Sequence, residues 1–224
     1  MSAALEAVLF DLDGTLLDTA PDMVAALNTL LLERGREPVP FERARMQVSN
    51  GALGLLRLGF PELGEAQLEA LRNRYLEIYA RGLDRGTRLF PGLAEVLAAL
   101  EARGLPWGIV TNKPAALTEP LLRSLNLAAR CACVVSGDSL ARRKPHPDPL
   151  LHAAASLGIP PSGAVYLGDA PRDIRAGRAA GMRTAAVAWG YLEAGEDPAR
   201  WGADHLLSHP EEIMTLVFSG RTGR

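Results

Sequence analysis

Five short apolar runs punctuate the chain, at 7–10, 107–110, 132–135, 164–167 and 184–187. Each is brief and lacks polar alternation, the pattern of a strand covered on both faces. The stretch 204–207 is a candidate sixth. Helical periodicity fills the spaces between them. Leu93, Val96, Leu97 and Leu100 share a face before Gly104. Leu150, Leu151, Ala154 and Leu157 do so before Gly158, and Ile174 opens a further helix that Gly181 ends. Strand and helix in alternation predict right-handed βαβ units and an α/β fold built on a parallel, doubly wound sheet.

The stretch from 16 to 85 breaks this rhythm and carries only helical patterns. Thr19-Ala20-Pro21-Asp22 reads as a capping box with proline in the first turn. Met23, Leu27, Leu30 and Leu31 follow on one face, and Gly35 stops them. Leu68, Leu71, Tyr75, Ile78 and Tyr79 form a second stripe. A turn signal at Ser49-Asn50-Gly51-Ala52 separates the two. The expected organisation is therefore an all-helical cap at 16–85 inserted into a core made of 1–15 and 86–224. The tail 219–224 reads as frayed.

Composition narrows the class of function. Hydrophobic residues make up 48% of the chain, enough for a large core, which argues against disorder. A net charge of −2 with no basic block speaks against nucleic acid or an anionic membrane as partner. Glu6 and Asp11 interrupt the first apolar run, so a signal peptide is not expected, and no run reaches the length of a membrane span. The expected location is the cytoplasm. Cys131 and Cys133 are too few for a disulfide framework and read as buried or half-buried thiols.

The polar chemistry collects just past strand ends. The first strand runs into Asp11-Leu12-Asp13-Gly14-Thr15, and the second into Thr111-Asn112. The third is followed by Lys144-Pro145-His146, and the fourth by Gly168-Asp169 with Asp173 beyond. In an open parallel sheet those carboxyl ends share one edge, the usual ligand crevice. One such motif is ordinarily a turn or a cap. Four in register with four strands make a site. Carboxylates gathered at one edge repel unless a cation joins them, and hard oxygen ligands suit Mg²⁺. Neither a Gly-x-Gly-x-x-Gly after the first strand nor a Gly-Lys-Ser/Thr loop is present, which argues against a dinucleotide enzyme or a P-loop NTPase.

These four motifs resemble, in order and spacing, those of the haloacid dehalogenase superfamily, and the likeness spans essentially the whole chain. Within it the chain is most similar to the phosphoglycolate phosphatase branch. Trp107-Gly-Ile-Val-Thr-Asn-Lys-Pro114, the 144–149 segment and Trp201-Gly-Ala-Asp204 are similar to bacterial N-acetylmuramic acid 6-phosphate phosphatases. The resemblance implies a Rossmann-like core, a helical cap and a Mg²⁺-dependent phosphatase acting on a small phosphorylated metabolite through an aspartyl-phosphate intermediate. It implies Asp11 as nucleophile and Asp13 as acid and base, the latter kept protonated by neighbouring carboxylates. Thr111 and Lys144 would hold the phosphoryl group. Metal ligands would be the Asp11 side chain, the Asp13 backbone carbonyl and Asp169, with Asp173 as a further ligand or anchor. Asn50, Gly51 and Asn112 are the candidate substrate contacts, while Arg45 and Arg57 are cap charges that ordinarily stay solvated. His146 is expected to order the Lys144 loop, and Ala170 marks a tolerant position. Two alternatives remain: a phosphomutase, and a regulatory domain phosphorylated on aspartate. The second acid Asp13 and the long helical insert favour an enzyme that turns over.

Overall fold

The computed structural model describes residues 5–218, so the 219–224 tail lies outside the described residues. In chain order the elements are β1 (Ala7–Phe10), β2 (Leu17–Asp18), α1 (Ala20–Glu33), α2 (Phe41–Arg45), α3 (Gly51–Gly59), α4 (Glu65–Ala80), β3 (Arg88–Leu89), α5 (Leu93–Ala102) and β4 (Trp107–Val110). There follow α6 (Ala115–Ser124), β5 (Cys133–Val135), α7 (Asp148–Leu157), β6 (Ala164–Gly168), α8 (Pro171–Ala179), β7 (Arg183–Val187), β8 (His205–Leu207) and α9 (Glu212–Phe218). All six expected strands form one sheet in the order β5-β4-β1-β6-β7-β8, with every neighbouring pair parallel. The chain moves outward from β1 through β4 to β5, then returns to β6 on the other side of β1. That reversal opens a crevice at the carboxyl ends of β4, β1 and β6.

The central strands β1, β4 and β6 are buried on both faces, which is why they read as unbroken apolar runs, while the edge strands β5 and β8 leave Val134, His205 and Leu206 exposed. Val8 and Phe10 of β1 join the larger core with α5, α6 and α9, while Leu9 joins α7 and α8 on the opposite face. Along β6, Val165 and Leu167 alternate with Ala164 and Tyr166 in the same way. No helix among the described residues is long and apolar enough to cross a membrane.

Helices α1 to α4 lie between β2 and β3, which pair antiparallel as Leu17 with Leu89 and Asp18 with Arg88. This ribbon puts a short strand inside a stretch expected to be wholly helical. Two-residue strands carry no periodicity to read. The expected capping box is also absent: the Thr19 hydroxyl contacts Met23 Sδ at 3.6 Å. Asp22 instead accepts from the Gly86 and Thr87 backbone N–H groups, at 2.8 Å each, and from the Thr87 hydroxyl at 2.7 Å. The carboxylate that looked like a helix cap thus ties the start of α1 to the approach of β3. The α1 stripe is buried as read, as are Leu68, Leu71, Tyr75 and Tyr79 on α4. On α7 the buried face is Leu150, Ala153 and Ala154, whereas Leu151 is exposed. Cys131 precedes β5, so the two cysteines do not share one strand; both are half-buried free thiols.

Candidate active site

Asp11 sits immediately past β1, 3% exposed, with its Oδ1 accepting from the Leu12 backbone N–H at 2.7 Å. Lys144 arrives from the β5–α7 loop and places Nζ 2.8 Å from Asp11 Oδ1 and 2.8 Å from Asp173 Oδ1. The same ammonium donates to the Val110 carbonyl at 3.0 Å and the Tyr166 hydroxyl at 2.6 Å. A fully buried ammonium is stable only with such a ring of acceptors. In this arrangement Lys144 compensates two carboxylates, so holding Asp11 in place is its first task.

Carboxylate oxygens of Asp11, Asp169 and Asp173 lie within 4.8 Å of one another. Asp169 Oδ2 accepts from the Tyr191 N–H at 3.0 Å and from the Ser49 hydroxyl at 2.6 Å, and the Thr15 hydroxyl reaches Oδ1 at 3.4 Å. Burial, followed by Asp11 and Asp173, pushes the Asp169 carboxyl up to about 7. Burial likewise raises Asp11, with Lys144 pulling the other way. Arg172 lies 3.9 Å from Asp11 Oδ2; burial opposes its charge, but Asp173, Asp11 and Asp169 hold it protonated. Three carboxylates against two cations leave an excess negative charge, and every donor is a hard oxygen. The cluster fits a dication such as Mg²⁺. Asp173 has one oxygen on Lys144 and the other 3.2 Å from the Ala170 N–H, which makes it an anchor behind Asp11 and Asp169.

The Asp13 side chain lies outside that cluster. Its Oδ1 is 2.9 Å from Lys113 Nζ, which also donates to the Tyr79 hydroxyl at 2.9 Å. Neighbouring carboxylates were expected to press a proton onto Asp13, but the group facing it is an ammonium. Thr111 is buried at the end of β4, and its hydroxyl accepts from the Lys113 N–H at 3.1 Å. Asn112 donates Nδ2 to the Lys144 carbonyl at 3.0 Å, and its buried Oδ1 has no hydrogen-bond partner among the described residues.

These groups open onto a cavity of about 400 Å³ whose lining includes Asp11, Asp13, Thr111, Asn112, Lys113, Lys144 and Arg172 from the sheet side. Ser49, Asn50, Gly51, Arg72, Tyr75 and Tyr79 line it from the helical side. Asn50 is exposed at the rim, with Nδ2 bonded to Glu193 Oε1 at 2.7 Å and Gln47 Oε1 at 3.2 Å. Arg45 stacks on the Tyr191 ring at 4.8 Å, and Arg57 pairs with Glu65 on the surface. Sequence reading brought the four strand-end motifs to one edge. It did not give a part to Lys113 or Arg172, although both stand within the span of the quoted motifs, and it read Ser49 as part of the cap turn rather than as a donor to Asp169. Side-chain type was the signal for the first two: a lysine directly after Thr111-Asn112, and an arginine between Asp169 and Asp173.

A family model described as haloacid dehalogenase-like hydrolase matches residues 8–187. The chain is 44% identical over 214 residues to the N-acetylmuramic acid 6-phosphate phosphatase of Pseudomonas aeruginosa, covering 95% of each. It is 45% identical over 210 residues to the phosphoglycolate phosphatase of Xylella fastidiosa, covering 91% of this chain and 92% of that one. Among solved structures, a predicted phosphoglycolate phosphatase from Haemophilus somnus superposes with a TM-score of 0.85 at 26% identity, covering 96% and 99% of the two chains. With these likenesses spanning nearly its whole length, the chain belongs to the haloacid dehalogenase-like hydrolases.

Proposed function

We propose that this protein is a Mg²⁺-dependent phosphomonoesterase that transfers the phosphoryl group of a small metabolite to Asp11 and then to water. The observation that carries the reading is the pair of aspartates with separate cations: Asp11 against Lys144, Asp13 against Lys113, both opening on one cavity. A carboxylate pinned by the Leu12 N–H and the Lys144 ammonium is oriented for in-line attack on phosphorus. The P–O bond to the substrate breaks as the Asp11–phosphorus bond forms. Asp13 enters the step protonated on the oxygen that Lys113 does not hold, delivers that proton to the departing alkoxide, and as the carboxylate takes one back from the water that hydrolyses the acyl phosphate. Lys113, by holding the Asp13 carboxylate at 2.9 Å, keeps that group aimed into the cavity. The Thr111 hydroxyl and the Lys144 and Arg172 cations face the charge that develops on the phosphoryl oxygens.

Mg²⁺ would be held by Asp11 and Asp169, with the Asp13 backbone carbonyl as the third protein ligand and Asp173 bracing the set. When bound it supplies positive charge to the phosphoryl oxygens. The segment 16–85 acts as a cap: Ser49 and Asn50 bridge it to Asp169 and Glu193 and help keep water out during transfer. The names of the relatives point to N-acetylmuramic acid 6-phosphate or 2-phosphoglycolate as substrate. Purified protein should release phosphate from a phosphomonoester panel with Mg²⁺ and not with EDTA. Release in EDTA equal to that in Mg²⁺, or none with any ester, would overturn the proposal.

A further inference from the structure

We infer that Arg72 reads a carboxylate on the substrate at the end remote from the phosphate, so that the preferred substrate is an acidic sugar phosphate rather than a two-carbon phosphoester. This rests on the phosphatase reading and assigns the far end of the same cavity.

Arg72, Tyr75, Leu76 and Tyr79 all line the cavity. Their spacing places them along one face of α4. Tyr79 marks the chemical end, because its hydroxyl meets the same Lys113 ammonium that holds Asp13. Arg72 stands seven residues earlier, about 10 Å along the helix axis at the α-helical rise. Between the two ends the wall is largely apolar, with Tyr75 and Leu76 on α4 joined by Met23 and Leu53. The cavity is therefore acidic and cation-braced at one end, apolar in the middle and cationic at the other.

The hydrogen bond that Arg72 makes among the described residues is to Glu69 Oε1, at 2.8 Å, with 54% of the Glu69 side chain exposed. An exposed i,i+3 pair of this kind is weak. A guanidinium has five N–H donors in a planar fork suited to a carboxylate, so an incoming acid can take the cavity side of Arg72 while Glu69 keeps the other.

Length then selects the ligand. In 2-phosphoglycolate an ester oxygen and a methylene separate phosphorus from the carboxylate, about 4 Å at ordinary bond lengths, well short of the roughly 10 Å along α4 from Tyr79 at the chemical end to Arg72. In N-acetylmuramic acid 6-phosphate the phosphate extends from C5 through C6 and the lactyl acid from C3, diverging to either side of C4 to lie roughly 8–10 Å apart when extended. The ring, acetamide methyl and lactyl methyl would lie against the apolar wall. A cavity of about 400 Å³ suits a ligand of that size, and a two-carbon ester would leave most of it to water.

The test measures kcat/KM for N-acetylmuramic acid 6-phosphate, for N-acetylglucosamine 6-phosphate, which is the same sugar phosphate without the acid, and for 2-phosphoglycolate. The wild-type protein should prefer the acidic sugar to the neutral one by about ten- to hundredfold, the worth of a charge-assisted hydrogen-bonded pair, and should prefer it to 2-phosphoglycolate. Arg72→Gln should bring the acidic-to-neutral ratio close to one, and Arg72→Lys should retain part of it. A second measurement needs no variant: unphosphorylated N-acetylmuramic acid should inhibit wild-type protein at lower concentration than N-acetylglucosamine. An unchanged ratio in Arg72→Gln, equal inhibition by the two sugars, or a higher kcat/KM on 2-phosphoglycolate overturns the inference and leaves the phosphatase standing. Failure of the wild-type protein to hydrolyse even an activated aryl phosphate would take down both.

Discussion

Replacing Gly14 with alanine should damage the site through a single methyl group. Gly14 has φ +84°, and an ideal Cβ built there would stand 2.1 Å from Asp169 Oδ2, 2.7 Å from Asp169 Cγ and 2.9 Å from Tyr191 Cδ2. The left-handed backbone alone costs about 1–2 kcal/mol for a residue with a side chain. Ordinary contact would require the Asp169 carboxylate to retreat by more than about 1 Å, and overpacking of that kind costs roughly 1–3 kcal/mol. The carboxylate cannot retreat freely, since the Tyr191 N–H and the Ser49 hydroxyl hold it. The total loss of stability should be about 2–5 kcal/mol, with a fall in kcat on the order of a hundredfold from misplacing the site by that distance. Gly104 supplies the control: its φ is +65°, and a methyl group added there would meet nothing within 4 Å. Gly104→Ala should therefore show the backbone cost alone. Urea unfolding of both variants, with kcat measured across a Mg²⁺ titration, separates the two contributions. Equal destabilisation of the pair, with wild-type kcat in Gly14→Ala, would refute the claim that Asp169 must sit against residue 14.

Lys144→Met leaves Asp11 and Asp173 buried without their shared ammonium and should cost about 3–5 kcal/mol in chemical denaturation, part of it recovered when Mg²⁺ is added. Asp13→Asn should slow release of an alkoxide far more than release of p-nitrophenolate, which needs little protonation; equal losses on both esters would deny Asp13 its part as the acid. In metal-free protein Asp169 keeps a proton up to about 7 that the unfolded chain has released above 3.8, so its contribution to stability falls as pH rises between those values. Asp169→Asn should flatten that part of the melting-temperature profile in EDTA, and an unaltered profile would contradict it.

The sheet and the edge that carries the chemistry were legible because both depend on local pattern. A strand buried on both faces must be apolar throughout, as β1, β4 and β6 are, whereas the edge strand at 204–207, Asp-His-Leu-Leu, gave a weaker signal because it is half exposed. The motifs could be placed because in a parallel sheet the end of a strand fixes where the next residues lie. Pairings across the crevice were not legible. Lys113 meeting Asp13, and Ser49 meeting Asp169, join residues far apart in sequence, and no local spacing encodes such contacts. Asp22 misled for the opposite reason, since its position three residues after Thr19 satisfies a helix-capping rule while its carboxylate serves Gly86 and Thr87. Leu151 satisfied the helical period but fell on the rim of the buried face, where one step of 100° separates core from solvent.

In the proposed mechanism the phosphoryl group passes through Asp11. Rapid acid quenching of wild-type protein during turnover of a phosphate-labelled ester tests it directly, followed by peptide mapping of the labelled chain. An acid-stable, hydroxylamine-sensitive label should appear on the peptide containing Asp11 and be absent, along with turnover, from Asp11→Asn. Label on another residue, or an Asp11→Asn protein that still hydrolyses the ester at the wild-type rate, would contradict it.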